Sequence, residues 1–465
     1  MALIADAMTT IRAMAAGRAV AEEVASTTFQ RPTNIRTFSA LMKRLSKASS
    51  FVLLASILVF FLAGSSAPTP LYPMYQAEWG FSPITVTIVF GSYALAVLAS
   101  LLVVGSLSDY VGRRPVLLVA VLLQAVTMTI FATARGVEAL VVARVVQGIG
   151  TGGAAGAAGA GMLDLDRDRG TLTNSVAPML GTATGAALSG ILVQFLPWPT
   201  KLVYVVLGFV FAAQALGVLM MPETMSPRPG ALASLRPHLR VPPRLRSAVL
   251  VAAPALVGVW ALAGFYGSLG PSLVRRLVAS NAPALSGLAL FAIAATGMLT
   301  ALLSRKRPPL TTMAGGAAAL AIGVGATIVA IHGGWLAGFF LGTAVAGAGF
   351  GAGFQGAIRS VLSLTAARER AGVLSVLYVI AYLAMGLPAV FAGFRVVHGG
   401  GILTTAREYG VVVIVLAILA LGGALLRRRT QQAPSEAAAR GPLSVLATNA
   451  PAPLNDTESL NIRRA

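Results

Sequence analysis

The sequence predicts an all-α integral membrane protein with twelve transmembrane helices in two pseudo-symmetric six-helix bundles. Three observations carry that expectation. Apolar residues make up 56% of the 465 and charged ones 11%, with a mean hydropathy of +0.81, whereas soluble domains carry about a quarter charged residues. Apolar runs of about 20 residues, the length that crosses a bilayer, recur between residues 51 and 426. A basic, proline-rich break divides these runs six and six.

Taken in order, residues 1–50 hold seven Lys or Arg against three acids and no continuous apolar core. They predict a disordered cytoplasmic extension without a cleavable export signal. The first bundle, 51–222, has spans at 51–73, 83–107, 115–134, 137–163, 174–196 and 202–221. Residues 223–247, with SPRPG and RPHLRVPPRLR, predict an exposed basic cytoplasmic linker. The second bundle, 248–426, has spans at 248–273, 284–303, 310–331, 335–358, 371–396 and 409–426. Beyond Arg427-Arg428-Arg429, residues 427–465 are rich in Ala, Pro, Ser and Asn and predict a disordered cytoplasmic tail.

Charge orients this layout. With both ends on one side, that side holds 28 of the 35 Lys and Arg, the other side holds six, and Arg144 lies within a span. Basic loops stay cytoplasmic, so both termini are expected inside. The net charge of +20 is then a topology signal and calls for no nucleic-acid partner. Trp79, Trp198 and Trp335 fall at expected outer boundaries, where amphipathic rings favour the headgroup region. Trp260 does not.

Enzyme chemistry finds no footing. The chain has no cysteine, which excludes a disulfide framework, thiol catalysis and a thiolate metal site. No nucleophile–His pair, metal-ligand cluster or embedded pair of carboxylates appears, and no cofactor or metal is expected. The run Gly148–Gly161 contains GxGxxG, but it follows an apolar helix rather than a strand, so it is no dinucleotide fingerprint. Its glycines four apart form a smooth face for close packing, as do Gly347, Gly349, Gly351 and Gly353 in span 10.

Two stretches are specific. Gly105-Ser-Leu-Ser-Asp109-Tyr-Val-Gly112-Arg113-Arg114, between spans 2 and 3, resembles the loop signature of the major facilitator superfamily (MFS), GxLaDrxGrkxxl, with Tyr110 where the family usually has a basic residue. Leu140-xxx-Arg144-xx-Gln147-Gly148-x-Gly150 resembles its span-4 motif, and Pro222-Glu223-Thr224 a feature after span 6. The resemblance covers about residues 51–426. Its span-5 antiporter motif is only partly matched by Gly181-xxx-Gly185-Ala186-xx-Ser189-Gly190. Physically, Gly105 permits close helix approach and Gly112 a left-handed turn. The resemblance implies that Gly105, Asp109, Gly112, Arg113 and Arg114 form a conformational latch, with Asp109 held at the N-terminus of span 11. A charge at membrane depth costs about 2.5–3.5 kcal/mol and usually serves function. Arg144, with Gln147 and Gly148, is therefore expected at a cavity and in coupling.

The resemblance implies a secondary active transporter that moves a small organic solute by alternating access, as a proton-linked efflux carrier or antiporter. A facilitative uniporter or importer and a non-transporting sensor of the same fold are the alternatives. No acid lies deep in any span, and His238, His332 and His398 fall in loops or at span ends, so proton coupling comes from the resemblance alone. Polarity selects Asn174, Gln194, Gln214, Trp260, Tyr266, Gln355, Tyr378 and Tyr382 as candidate substrate-lining residues. The expected partners are the solute, protons and membrane lipids. The expected setting is a monomer in a bacterial inner membrane.

Overall fold

The computed structural model describes residues 44–440 except 238 and 279–281. Twelve of its helices are long and apolar enough to cross a membrane. They are α1 (Lys47–Ser66), α2 (Pro83–Val104), α3 (Arg113–Ala132), α4 (Val137–Leu165), α5 (Arg167–Phe195), α6 (Leu202–Met220), α7 (Arg246–Ser268), α8 (Pro283–Ser304), α9 (Pro309–Gly333), α10 (Leu336–Leu362), α11 (Arg370–His398) and α12 (Gly401–Arg440). No strand occurs among the described residues. Large apolar side chains such as Phe209 (74% exposed) and Leu250 (71%) point outward, a surface suited to lipid rather than water. An even number of crossings returns both ends of the described chain to one face. That basic face carries the loops rich in Lys and Arg; the other is termed the far face.

The packing order has two equivalent halves. In the first, α2 packs on α4, α1 on α5, and α3 on both α4 and α6. In the second, α8 packs on α10, α7 on α11, and α9 on both α10 and α12. Adding six to each number converts one set into the other. The seam obeys the same rule, α2 meeting α11 and α5 meeting α8. This is the pseudo-twofold arrangement of a repeat-built carrier. Glycines make it possible: a Cβ at Gly148 would stand 2.6 Å from that of Ala96 on α2, and one at Gly152 2.7 Å from that of Ser100.

Prolines break α1 and α7 near the far face. Pro68 has no N–H to bond the carbonyl of Gly64, and α1 stops at Ser66. The chain resumes through a tight turn, Thr69–Leu71, and a short helix, Tyr72–Trp79. Similarly, Pro271 leaves the carbonyl of Gly267 without its helical donor, and α7 ends at Ser268 before a short helix, Gly270–Val278. The expected spans 51–73 and 248–273 are therefore not continuous. Other bounds also shift. α5 begins at Arg167 rather than 174, because Asp166 caps it by accepting from the Arg169 N–H at 3.0 Å. α12 begins at Gly401 rather than 409, Arg395 pairing with Glu408. The expected disordered tail is helical as far as Arg440; residues 1–43 and 441–465 of the expected disordered ends lie outside the described residues.

The seam is closed on one side. Among the described residues, the hydrogen bonds joining the bundles run from Thr69 Oγ1 to the Gly267 carbonyl (3.1 Å), Ser272 Oγ to Gln76 Oε1 (3.3 Å), Arg275 Nη1 to the Pro73 carbonyl (3.3 Å), and the Ala284 N–H to Gln194 Oε1 (3.1 Å). All lie at the far face. No described hydrogen bond or ion pair links the bundles at the basic face.

Candidate functional site

A cavity of about 180 Å³ lies between the bundles, at the midpoints of α2, α7, α10 and α11. Its wall carries six aromatic rings: Phe90, Tyr93, Trp260, Phe350, Phe354 and Tyr382. Ser65, Ser66, Thr69 and Thr182 bring hydroxyl-bearing side chains to its lining, and no acidic or basic residue lines it. Trp260 is the centre of the aromatic group, edge-on to Phe354 (centroids 5.6 Å apart) and beside Tyr382 (5.1 Å). Its Nε1 is buried without a hydrogen-bond partner among the described residues.

Arg144 stands one residue behind this wall. It is fully buried and packed against the broken end of α1. Its Nη1 donates to the Ser65 carbonyl (2.7 Å) and to Gln147 Oε1 (2.8 Å), while Nε and Nη2 donate to the Tyr72 hydroxyl (3.0 and 2.6 Å). Gln147 Nε2 donates to the Gly64 carbonyl (3.1 Å), the one that Pro68 leaves without its helical partner. Arg144 and Gln147 thus cap a helix end whose last carbonyls have no donor of their own. The rings of Tyr72, Tyr93 and Phe131 surround the guanidinium at 5.7, 5.3 and 5.8 Å. No carboxylate pairs with it among the described residues. Tyr93 and Ser65 touch both Arg144 and the cavity.

Of the residues chosen for polarity, Trp260 and Tyr382 line the cavity. The others lie elsewhere, and all but Tyr378 brace neighbouring elements. Asn174 Nδ2 donates to the Gly159 carbonyl (3.1 Å) between α5 and α4, and Gln214 Nε2 to Ser56 Oγ (3.2 Å) between α6 and α1. Tyr266 bonds Thr343 (2.8 Å) inside the second bundle, and Gln355 accepts from Ser304 (3.1 Å). Tyr378 sits one turn from Tyr382 toward the basic face, ring centroids 6.4 Å apart, and Gln194 belongs to the far-face seam. Phe90, Tyr93, Phe350, Phe354 and Met385 also line the cavity but were not selected from the sequence. The Tyr93 hydroxyl was as much a signal as that of Tyr382, whereas the other four share their apolar character with lipid-facing residues.

The loop between α2 and α3 is bound to its own bundle. Arg113, buried, pairs with Asp109 and with Asp164 at the end of α4 (3.2 Å). Glu223 accepts from the N–H groups of Arg113 (2.8 Å) and Arg114 (3.1 Å), a carboxylate at the positive end of α3. Gly112 has φ +99° and a Cβ there would stand 2.6 Å from Glu223 Oε2, so only glycine fits. Arg114 in turn donates to the Val218 carbonyl (3.2 Å) at the end of α6. Gly156 on α4, having no Cβ, leaves room for the Gly105 carbonyl. The expected bond from Asp109 to the start of α11 is not made in this conformation, where Asp109 is taken up by Arg113.

A family model described as Major Facilitator Superfamily matches residues 53–389. The cephamycin export protein CmcT of Amycolatopsis lactamdurans is 30% identical over 164 residues, 34% of each chain. An uncharacterized MFS-type transporter of Mycobacterium tuberculosis is 30% identical over 172 residues, 36% of this chain and 25% of that one. The chain thus spans about a quarter to a third of these curated relatives. Among solved structures, a bacterial homologue of the human lysosomal transporter Spinster, inward-facing and unoccupied, aligns with TM-score 0.65 at 16% identity, over 83% of this chain and 97% of that one. The human organic anion transporter MFSD10 (TETRAN) aligns at 0.59 and 18% identity, over 81% and 100%. The chain is a multi-pass membrane protein that belongs to the Major Facilitator Superfamily.

Proposed function

We propose that this protein exports a small organic solute across a bacterial inner membrane by alternating access, in exchange for protons. The observation that carries the reading is the ring-lined cavity at mid-membrane, between two bundles that, among the described residues, are hydrogen-bonded to each other at the far face alone. With the basic face in the cytoplasm, as the Lys and Arg distribution favours, this is a cytoplasm-facing state ready to load. The export direction draws on the likeness to a cephamycin exporter, and proton linkage on the partial span-5 motif. In the fold that motif lets α5 lie on α1, Ser189 donating to the Ala67 carbonyl at 2.6 Å.

Reconstituted proteoliposomes test it. A panel of single- and double-ring solutes is followed with and without an imposed pH gradient. The expected result is flux that rises several-fold when the gradient opposes the solute. Flux indifferent to the gradient contradicts proton exchange. Absence of flux for every solute, with solute-induced movement of the bundles, points to the sensor reading instead.

A further inference from the structure

Resting on the cavity as the solute site, we infer that its substrate is a small aromatic anion and that Arg144 sets this charge preference from behind the wall. The cavity of about 180 Å³ is of the size that takes one or two rings, since an apolar cavity of about 150 Å³ holds benzene. Its wall offers ring faces for such a body. It offers no carboxylate to receive a cation.

Arg144 gives the pocket its sign. Among the described residues, no acid pairs with the guanidinium. Glu138, nearest along α4, is exposed and six residues away, about 9 Å along the helix. The carbonyl end of α1 offsets the charge by at most about half a unit. Tyr93, whose ring centroid lies 5.3 Å from the guanidinium, stands between it and the solute, so the remaining half unit acts across an assumed separation of about 10 Å. At an effective permittivity of about 20 this changes binding roughly fourfold for each sign of charge, and so more than tenfold between anion and cation. Ring faces attract cations by about 0.5–2 kcal/mol, the one opposing effect; the face of Tyr93 is already engaged by Arg144.

The test uses the purified full chain in nonionic micelles and three probes of one shape: 2-naphthoate, 2-naphthylmethanol and 2-naphthylmethylammonium. Equilibrium dialysis against protein-free micelles measures each. The expected order is naphthoate, then the alcohol, then the ammonium, with tenfold or more between first and last. Arg144→Lys keeps the order, and Arg144→Gln brings all three within about threefold. Should Arg144→Gln fail to fold, Gln147→Glu decides: a carboxylate placed where Arg144 Nη1 meets the Gln147 oxygen at 2.8 Å cancels the charge, and the three probes again fall within about threefold, whereas a surviving order overturns the inference. Tighter binding of the ammonium, binding of none of the three, or an order that survives Arg144→Gln overturns the inference. The correct binding order in a protein that moves no solute would break the transport reading alone.

Discussion

The two broken helices α1 and α7 share one defect and resolve it differently. Each has a proline four residues after a carbonyl that thereby lacks its donor, Pro68 after Gly64 and Pro271 after Gly267. In the first bundle the remedy is internal: Gln147 on α4 bonds Gly64, and Arg144 beside it bonds Ser65. In the second the remedy crosses the seam, Thr69 of the first bundle bonding Gly267. The first bundle is therefore complete by itself. The second has its break satisfied only while the far face is shut, so opening that face must strip a bond from α7 and none from the α1 cap.

Variants separate the two remedies, beginning with the largest effect. Arg144→Ala removes the bonds to Ser65, Tyr72 and Gln147 and exposes an unpaired carbonyl in a dry interior. It should cost about 3 kcal/mol and abolish transport, read as a lowered melting temperature in micelles alongside proteoliposome flux. Gln147→Leu leaves the Gly64 carbonyl unpaired and should cost about 2 kcal/mol, again as lost stability, with the balance of open states unmoved. Thr69→Val is nearly isosteric and should cost about 1 kcal/mol, taken from the far-closed state alone. That corresponds to roughly a fivefold shift toward the far-open state.

Asp109→Asn should have the smallest effect on stability. Asp109 is half exposed and Arg113 keeps Asp164, so about 0.5 kcal/mol is expected. Its kinetic effect discriminates more sharply. If Asp109 changes partner from Arg113 to the start of α11 when the basic face closes, the variant slows turnover and enriches the basic-open state. Unchanged turnover and populations would rule out that exchange.

Much of the fold was legible because lipid imposes a simple rule: about 20 apolar residues per crossing, basic residues gathered on one side. The breaks in α1 and α7 were written in Pro68, Pro70 and Pro271, but hydropathy alone runs straight through them. The start of α12 was obscured by Arg407 and Glu408, charges that read as loop until the pairing of Glu408 with Arg395 is seen. The cavity was harder to read. In a membrane helix a polar side chain finds the nearest neighbouring partner, as Asn174 does at Gly159 and Gln355 at Ser304, so polarity marks braces between helices. A site for an apolar body is lined by residues such as Phe90 and Phe354, whose sequence signature matches that of lipid-facing positions. Arg144 stood out because nothing else charged lies so deep, yet its role as a cap for α1 needed the position of Pro68 in space.

One measurement bears most directly on the division between internal and seam-borne caps. Because the chain lacks cysteine, spin labels placed on Asp168→Cys at the start of α5 and Arg305→Cys just past the end of α8 report the separation of the bundles at the basic face. Thr69→Val is expected to shift the distance distribution toward shorter values, as the far face opens and the basic face closes, while Gln147→Leu leaves it in place. An unmoved distribution in Thr69→Val, or the same shift in Gln147→Leu, would contradict that division.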